Sequence, residues 1–255
     1  EPEIGTDAKG IRTNYKRDGD DYVVNGRKKW ISFGEIADYF IVIASDHKDI
    51  TAFIIERNLL GVSIYPIKGM LANRAAHIAE IEFKDVRIPK RNVIGKPGAG
   101  FSFIVSSALD HGRYSIAWAG VAVAAESLDH MATYAKKRKQ FGRKIGEYQL
   151  VQRIISNAVA NTHAARALCI NAGELRSRNA SNAVSETTIA KYFTSRIAMK
   201  IASDAVQVYG GAGCSNQHPV ERLFREAKLL EIVEGTSQIQ QQIIARYELR
   251  SYGKH

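Results

Sequence analysis

The chain has 255 residues, of which 45% are hydrophobic, and it carries a formal net charge of +10 from 36 basic and 26 acidic side chains. That length and apolar content suit one large domain or two smaller ones with a sizeable core, and no apolar run approaches the ~20 residues that a membrane span needs. The basic residues are scattered with few aromatic residues among them, which disfavours nucleic-acid binding and leaves a phosphate-rich cofactor and an acidic partner as explanations of the charge.

Cysteine usage and the first residues bear on metal chemistry and compartment. Cys169 and Cys214 form no ligand motif and are too few for a disulfide framework, so no metal site is predicted and a reducing interior is expected. The opening Glu1-Pro2-Glu3 resembles neither a signal peptide nor a basic presequence. The expected location is the cytoplasm, or the mitochondrial matrix if the source is eukaryotic.

Residues 1 to about 95 have the pattern of β structure. Residues 22–24 (YVV) lie between Asp18-Gly19 and Asn25-Gly26, which predicts tight hairpin turns on both sides. The apolar runs 39–44 and 52–55 have the length of strands and predict strands covered on both faces. Several short strands with turn signals predict a small barrel or sandwich.

After Gly100 the hydrophobic pattern takes on helical spacing. Long helices are predicted at about residues 101–136, 147–179, 183–208 and 237–249, with a short one at 220–230. Four long helices with short links predict an antiparallel four-helix bundle. The predicted fold class is therefore α+β, with a β-barrel or sandwich domain at residues 1–98 and the four-helix-bundle domain at residues 99–255.

Glu234 lies in the most informative local setting of the chain. It follows an apolar run, and Gly235 behind it permits a sharp turn. Thr236 or Ser237 can cap the next helix. A carboxylate held at a helix entrance between hydrophobic neighbours has a raised pKa and suits a general base near neutral pH. The alternative is a solvated glutamate in an ordinary helix–helix turn. Taken by itself, this stretch favours that alternative over a general base.

Six short motifs relate the chain to a known family. The β half contains residues 1–7 (EPEIGTD), 25–32 (NGRKKWIS) and 83–89 (FKDVRIP), and the helical half contains residues 138–142 (RKQFG), 207–211 (QVYGG) and 234–240 (EGTSQIQ). Each motif alone is a weak signal. In this order, across nearly the whole chain, they resemble the middle and C-terminal domains of an acyl-CoA dehydrogenase. The family's N-terminal helical domain has no counterpart in this sequence.

The resemblance implies FAD as the cofactor. Trp30 and Ser32, two apart on a predicted strand, would face the same way and flank the flavin ring. Arg138 would bind the pyrophosphate across a subunit interface, to which a guanidinium fork is suited. Trp30 could instead be an aromatic residue on a barrel wall, and Arg138 could belong to a solvated basic run. Gly210 and Gly211 could form an ordinary helix cap. The implied cofactor-binding residues are Trp30, Ser32, Arg138, Gln140, Phe141, Gln207, Gly210, Gly211, Thr236 and Gln238.

The resemblance also implies the base. The 27 residues from Gln207 to Glu234 (234 − 207) match the family's spacing and support Glu234 over Glu231. A minority of the family places its base at the position of Gly112, which glycine excludes. Glu234 would remove the α-proton of an acyl thioester while the β-hydrogen leaves as hydride to the flavin, and the amide of Glu234 would hold the substrate carbonyl oxygen.

Four further residues are implied at the substrate: Thr6, Asp110, Arg113 and Gly235. Asp110 and Arg113 could instead form an ion pair one helical turn apart, and Thr6 could belong to a plain turn.

Two departures from the common family pattern bear on the substrate. Val233 stands where an aromatic residue is common in the family, and residues 75–77 (AAH) stand where small hydroxyl residues are common. Together with residues 111–118, they resemble a branch that oxidises acyl groups on carrier proteins, including hydroxymalonyl units. Acyl-CoA is ranked first and acyl carrier protein second. The family implies a homodimer or homotetramer and an electron-transfer flavoprotein or oxygen as acceptor; the non-enzymatic alternative is a flavin-free partner or scaffold subunit.

Overall fold

The structure is a computed structural model that describes residues 1–252. The chain separates into two compact units, Glu1–Leu109 and Asp110 onward. Helix α1 (Ser106–Lys137) begins at the end of the first unit and continues into the second. The first unit is mostly β structure and the second mostly helical, which confirms the mixed α+β class.

One seven-stranded sheet forms the first unit. Its strands are β1 (Asn14–Asp18), β2 (Asp21–Ile31), β3 (Tyr39–Ser45), β4 (Ile50–Glu56), β5 (Val62–Pro66), β6 (Ala79–Pro89) and β7 (Val93–Ile94). The order is β5-β6-β2-β1-β3-β4-β7, and all neighbours are antiparallel except β1 and β3. Within residues 1–252 the two edge strands, β5 and β7, do not pair with each other, so the sheet is not a closed barrel, which was one of the two predicted forms.

The two predicted turns around residues 22–24 have different outcomes. Gly19, with φ +63°, lies in the tight turn that joins β1 to β2, as predicted. Asn25-Gly26 is not a turn: it lies inside β2, where the pairing with β6 shifts register. A Cβ on Gly26 would lie 2.6 Å from the Cα of Thr13, which directly precedes β1, so only glycine fits at this bulge.

The core of the sheet explains why these strands pair in this register. Tyr15, Tyr22 and Phe53 form three edge-to-face contacts with ring centroids 5.2–5.7 Å apart. The prediction that run 39–44 is covered on both faces is wrong. Tyr39 and Ile41 remain 65% and 66% exposed while their neighbours in the strand are buried.

Five α-helices occur among the described residues: α1, α2 (Gln149–Ser177), α3 (Ala183–Tyr209), α4 (Val220–Leu230) and α5 (Ser237–Ser251). Each lies within a few residues of a predicted helix. The first predicted helix differs at its start, because Gly100–Val105 is a π-helical turn that leads into α1. A short hairpin, β8 (Lys139–Gln140) and β9 (Arg143–Lys144), separates α1 from α2.

Small residues let α1, α2 and α3 pack closely. Alanines from all three helices fill two of the buried clusters, and a Cβ on Gly120 would lie 2.9 Å from the main-chain carbon of Thr194. Tyr134 and Tyr209 stack with centroids 3.9 Å apart. The antiparallel sense of the four long helices stays a prediction.

No helix within residues 1–252 combines the length and apolar character that crossing a membrane would require.

Candidate active site

The turn between α4 and α5 has an unusual backbone. Glu234 and Gly235 both have positive φ, +55° and +94°, in succession. A glutamate in this region costs of order 1–3 kcal/mol and persists only where its surroundings hold it. Thr236 caps α5, because its Oγ1 accepts a hydrogen bond from the Ile239 amide at 3.4 Å. The cap predicted at Thr236 or Ser237 is therefore confirmed at Thr236.

Three side chains hold this turn by its carbonyl oxygens. Arg113 Nε donates to the Glu234 carbonyl at 3.2 Å, and Lys191 Nζ donates to the Gly235 carbonyl at 2.7 Å. Gln240 Nε2 donates to both, at 3.0 and 3.1 Å. We call Arg113, Lys191 and Gln240 the carbonyl clamp. Because they come from α1, α3 and α5, the packing of three helices fixes the backbone beside Glu234.

The Glu234 side chain lies directly against Gly112 of α1. A Cβ on Gly112 would overlap both carboxylate oxygens, with Oε1 at 2.9 Å. The missing side chain at position 112 therefore makes the space that the carboxylate occupies. The sequence placed Gly112 only as a position that cannot supply a base; the structure gives it a steric role.

Burial and two neighbouring cations act in opposite directions on the pKa of the Glu234 carboxyl. Desolvation raises its pKa above the usual 4.5, while the positive charges of Arg113 and Lys191 act in the opposite direction. Lys191 is fully buried, and desolvation and Arg113 lower its pKa to about 8 against the pull of Glu234 and Glu231. The site is thus a carboxyl with a raised pKa beside two cations.

The raised pKa predicts a stability difference between the wild type and Glu234→Gln. A carboxyl whose folded pKa is raised contributes stability below its unfolded pKa of about 4.5 and loses it as pH rises through the folded value. The free energy of unfolding of Glu234→Gln should therefore rise relative to that of the wild type as pH rises from 4 to 8. Urea denaturation of both proteins across that pH range measures the difference. A pH-independent difference would contradict the shift.

Lys191 and Gln240 were missed from the sequence. The available signal for Lys191 was its position on α3, where it shares the buried face with Thr187, Thr194 and Ala198 at spacings of four, three and seven residues. A lysine on such a face is unusual. Gln240 is also fully buried.

Asp110 pairs across helices and not along its own. Its Oδ2 accepts from Arg176 Nη1 of α2 at 2.5 Å, so the alternative ion pair with Arg113 is not formed. Arg176 also donates to Thr187 Oγ1 at 3.3 Å and lies over the Tyr114 ring at 5.1 Å. Asp110 Oδ1 is buried and accepts no hydrogen bond from the described residues, which is unusual for a buried carboxylate oxygen.

The first unit carries Trp30, Ser32 and Thr6. Trp30 has φ +65° and is 56% exposed, with Lys29 Nζ 5.3 Å from its ring. The prediction that Ser32 lies on the same strand as Trp30 is wrong, because β2 ends at Ile31 and Ser32 lies in the turn that follows. Strand alternation therefore does not relate the directions of the two side chains. Thr6 is exposed, and its carbonyl accepts from the Ala8 amide at 3.0 Å, which places it in a turn.

In the second unit, the β8–β9 hairpin presents Arg138, Gln140 and Phe141. Phe141 and Gly142 form its two-residue loop with φ of +51° and +81°. Phe141 is 95% exposed, and both Arg138 and Gln140 are also on the surface. Phe141 thus exposes an aromatic ring from a strained backbone position, which is typical of a surface that binds another molecule.

Gln207, Gly210 and Gly211 lie at the exposed C-terminal end of α3. Gly210 has φ +61°, and its amide donates to the Gln207 carbonyl, so the alternative of a glycine cap is confirmed. Gln238 is exposed in the first turn of α5. Within the described residues, no three His, Cys, Asp or Glu side chains are grouped to hold a metal ion.

Comparison with known proteins gives consistent matches over both units. Residues 1–86 match the family model described as the acyl-CoA dehydrogenase middle domain, and residues 98–249 match that of the acyl-CoA dehydrogenase C-terminal domain. A probable acyl-CoA dehydrogenase, FadE25, of Mycobacterium leprae is 38% identical over 98% of this chain. This chain spans 65% of that relative's length.

Two solved structures share the fold closely. Butyryl-CoA dehydrogenase from Megasphaera elsdenii superposes with a TM-score of 0.94 at 33% identity, covering 98% of this chain and 66% of that one. A chain in a study of the electron transferring flavoprotein of Acidaminococcus fermentans also gives 0.94, at 35% identity, covering 98% of this chain and 67% of that one.

Proposed function

The chain belongs to the acyl-CoA dehydrogenase family, and from this we propose that it is part of an FAD-dependent acyl-thioester dehydrogenase in which Glu234 is the general base. The observation that carries the proposal is the Glu234 carboxyl itself. It is half-buried, lies in the space left by Gly112, has a raised pKa and is fixed through its backbone by the carbonyl clamp. A carboxyl so placed matches what proton removal near neutral pH requires.

The domain arrangement is part of the proposal. Residues 1–98 form the flavin-facing β domain around the seven-stranded sheet, and residues 99–255 form the helical domain, an antiparallel four-helix bundle from α1, α2, α3 and α5. The shared buried clusters of α1, α2 and α3 and the separate family matches support this division.

The residues assigned to FAD suit such a group by their chemistry. Members of this family depend on FAD. Trp30 and Phe141 leave aromatic surface uncovered in the described chain, and Arg138 offers a guanidinium fork suited to a diphosphate. Trp30 and Ser32 are assigned to the flavin ring. The residues assigned to the rest of the cofactor are Arg138, Gln140, Phe141, Gln207, Gly210, Gly211, Thr236 and Gln238.

The chain's own contribution to catalysis is proton removal and positioning. Glu234 takes the α-proton of the thioester, and its amide N–H donates to the substrate carbonyl oxygen as negative charge develops there. Arg113 and Lys191 keep the carboxyl ionisable despite its burial. Thr6, Asp110, Arg113 and Gly235 line the thioester. When bound, FAD supplies the acceptor for the β-hydrogen, which leaves as hydride.

An acyl-CoA is the substrate class that we favour, because the matched relatives are named for acyl-CoA substrates. An electron-transfer flavoprotein is the proposed electron acceptor, because one of the matched structures comes from a study of such a flavoprotein. A homodimer or homotetramer follows from the proposed contribution of Arg138 to a neighbouring subunit's cofactor.

Flavin bleaching under anaerobic conditions tests the substrate class. The oxidised holoprotein should lose its absorbance near 450 nm with a short- to medium-chain acyl-CoA panel and not with hydroxymalonyl- or glyceryl-type acyl carrier protein. Bleaching by the carrier-protein substrates alone would overturn the acyl-CoA assignment. A purified protein that retains no FAD would instead support a flavin-free partner or scaffold subunit.

A further inference from the structure

Lys191 is a buried lysine whose ammonium is aimed at the catalytic turn. Its side chain is fully buried on α3, within a face of small residues that includes Ala190 and Thr194. Its ammonium donates to the main-chain carbonyl of Gly235 at 2.7 Å, and no carboxylate within residues 1–252 pairs with it. Burying an ammonium opposes folding, so this contact is maintained at a cost to stability.

The contact acts on the residue after Glu234. Glu234 and Gly235 have consecutive positive φ angles. A non-glycine residue in that region is strained, so the turn needs contacts that hold it in this conformation. Lys191 and Gln240 both donate to the Gly235 carbonyl, and Gln240 and Arg113 both donate to the Glu234 carbonyl. Lys191 is the member of the clamp that adds a positive charge from α3.

The charges that face Glu234 come from several elements. Arg113 on α1 and Lys191 on α3 attract its carboxylate. Asp110 on α1 interacts with Arg113, and Glu231 at the end of α4 interacts with Lys191. Lys191 is therefore one of two cations that oppose the effect of burial on the base, and Gln240 shares its carbonyl contact without carrying a charge.

We propose that Lys191 is a positioning residue for Glu234, which holds the catalytic turn through the Gly235 carbonyl and places a positive charge that favours the ionised base. This rests on the proposed function, since Glu234 must be the base for its ionisation to matter. Lys191 touches neither substrate nor cofactor in this role. It acts through the backbone and the electrostatic field at Glu234.

The test compares three variants of the holoprotein by the pH dependence of flavin reduction in stopped flow. Lys191→Met removes the charge and the donor, Lys191→Arg keeps the charge, and Gln240→Met removes a donor without changing charge. Lys191→Met should slow reduction at least tenfold and move the acid limb of the profile up by about one pH unit, since a lost positive neighbour raises a carboxyl pKa. Lys191→Arg should keep the acid limb in place, and Gln240→Met should slow reduction without moving it.

A stability measurement separates misfolding from the proposed role. Since the folded pKa of Lys191 is lowered from 10.5 to about 8, its contribution to stability is present above pH 10.5 and lost as pH falls through 8. The free energy of unfolding of Lys191→Met should therefore rise relative to that of the wild type as pH falls from 10.5 through 8.

Slowed reduction by Lys191→Met with an unmoved acid limb would overturn the charge role, and unchanged reduction would overturn the positioning role. If Glu234→Gln itself leaves reduction unchanged, the proposed function fails first. If Glu234→Gln abolishes reduction and Lys191→Met has no effect, only the inference about Lys191 fails.

Discussion

Replacing Glu234 with glutamine is expected to abolish flavin reduction by an acyl-CoA while FAD stays bound. Glutamine keeps the size of the side chain and the backbone contacts of the carbonyl clamp, but it cannot accept the α-proton. A positioned general base contributes about 10²–10⁴-fold to rate, so the loss should be at least a hundredfold in single-turnover reduction. Retained FAD absorbance shows that the cofactor site is intact.

Glu231→Gln is the matched control. Glu231 is three residues away in the same stretch and pairs with Lys228 at 2.7 Å, so its removal should leave reduction within a fewfold of the wild type. If Glu231→Gln abolished reduction and Glu234→Gln did not, the assignment of the base would be reversed.

Gly112→Ala is the second substitution with a large expected effect. The new methyl group would overlap the Glu234 carboxylate, which lies at the end of a flexible side chain and can move aside. The helix should tolerate the change, because alanine is about 1 kcal/mol better than glycine in a helix interior. A base displaced by about 1 Å can lose roughly a hundredfold in rate. The expected result is a roughly hundredfold slower reduction in a protein that unfolds no more easily than the wild type.

Gly120→Ala distinguishes this steric effect from a general one. Gly120 is on the same helix, but its Cβ would meet the main chain of Thr194 on α3, which cannot move aside as a carboxylate can. The expected result is a loss of about 1–3 kcal/mol of stability. If Gly112→Ala lowered stability to the same extent and left the rate of reduction per folded molecule unchanged, the role of Gly112 would be packing alone.

The helical half was predictable because its periodicity and its stops are local. Ala183 and Val220 begin helices where the sequence pattern placed them, and Thr236 caps α5. In the sheet half, Asn25-Gly26 has a turn signature yet forms a bulge. Thr13, which directly precedes β1, lies so close to Gly26 that no side chain fits there, and such a contact leaves no local trace in the sequence.

Within the candidate site, the sequence singled out Glu234 but not the side chains that hold its backbone. Its position follows from the Gly235 turn, the apolar run and the family motif. The carbonyl clamp depends on which residues of α1, α3 and α5 meet at one point, and only the folded chain sets that. Lys191 and Gln240 are separated from Glu234 by 43 and 6 residues (234 − 191 and 240 − 234), and their partners are main-chain carbonyls that carry no side-chain signature.

The most direct test of the base measures proton removal apart from hydride transfer. A 3-thia-acyl-CoA has an acidic α-proton and no β-hydrogen to lose, so exchange of its α-proton with D₂O, followed by NMR, reports on the base alone. The wild-type holoprotein should catalyse this exchange, faster as pH rises through the raised pKa of Glu234, and Glu234→Gln should not. Equal exchange by the two proteins would contradict the assignment of Glu234 as the base.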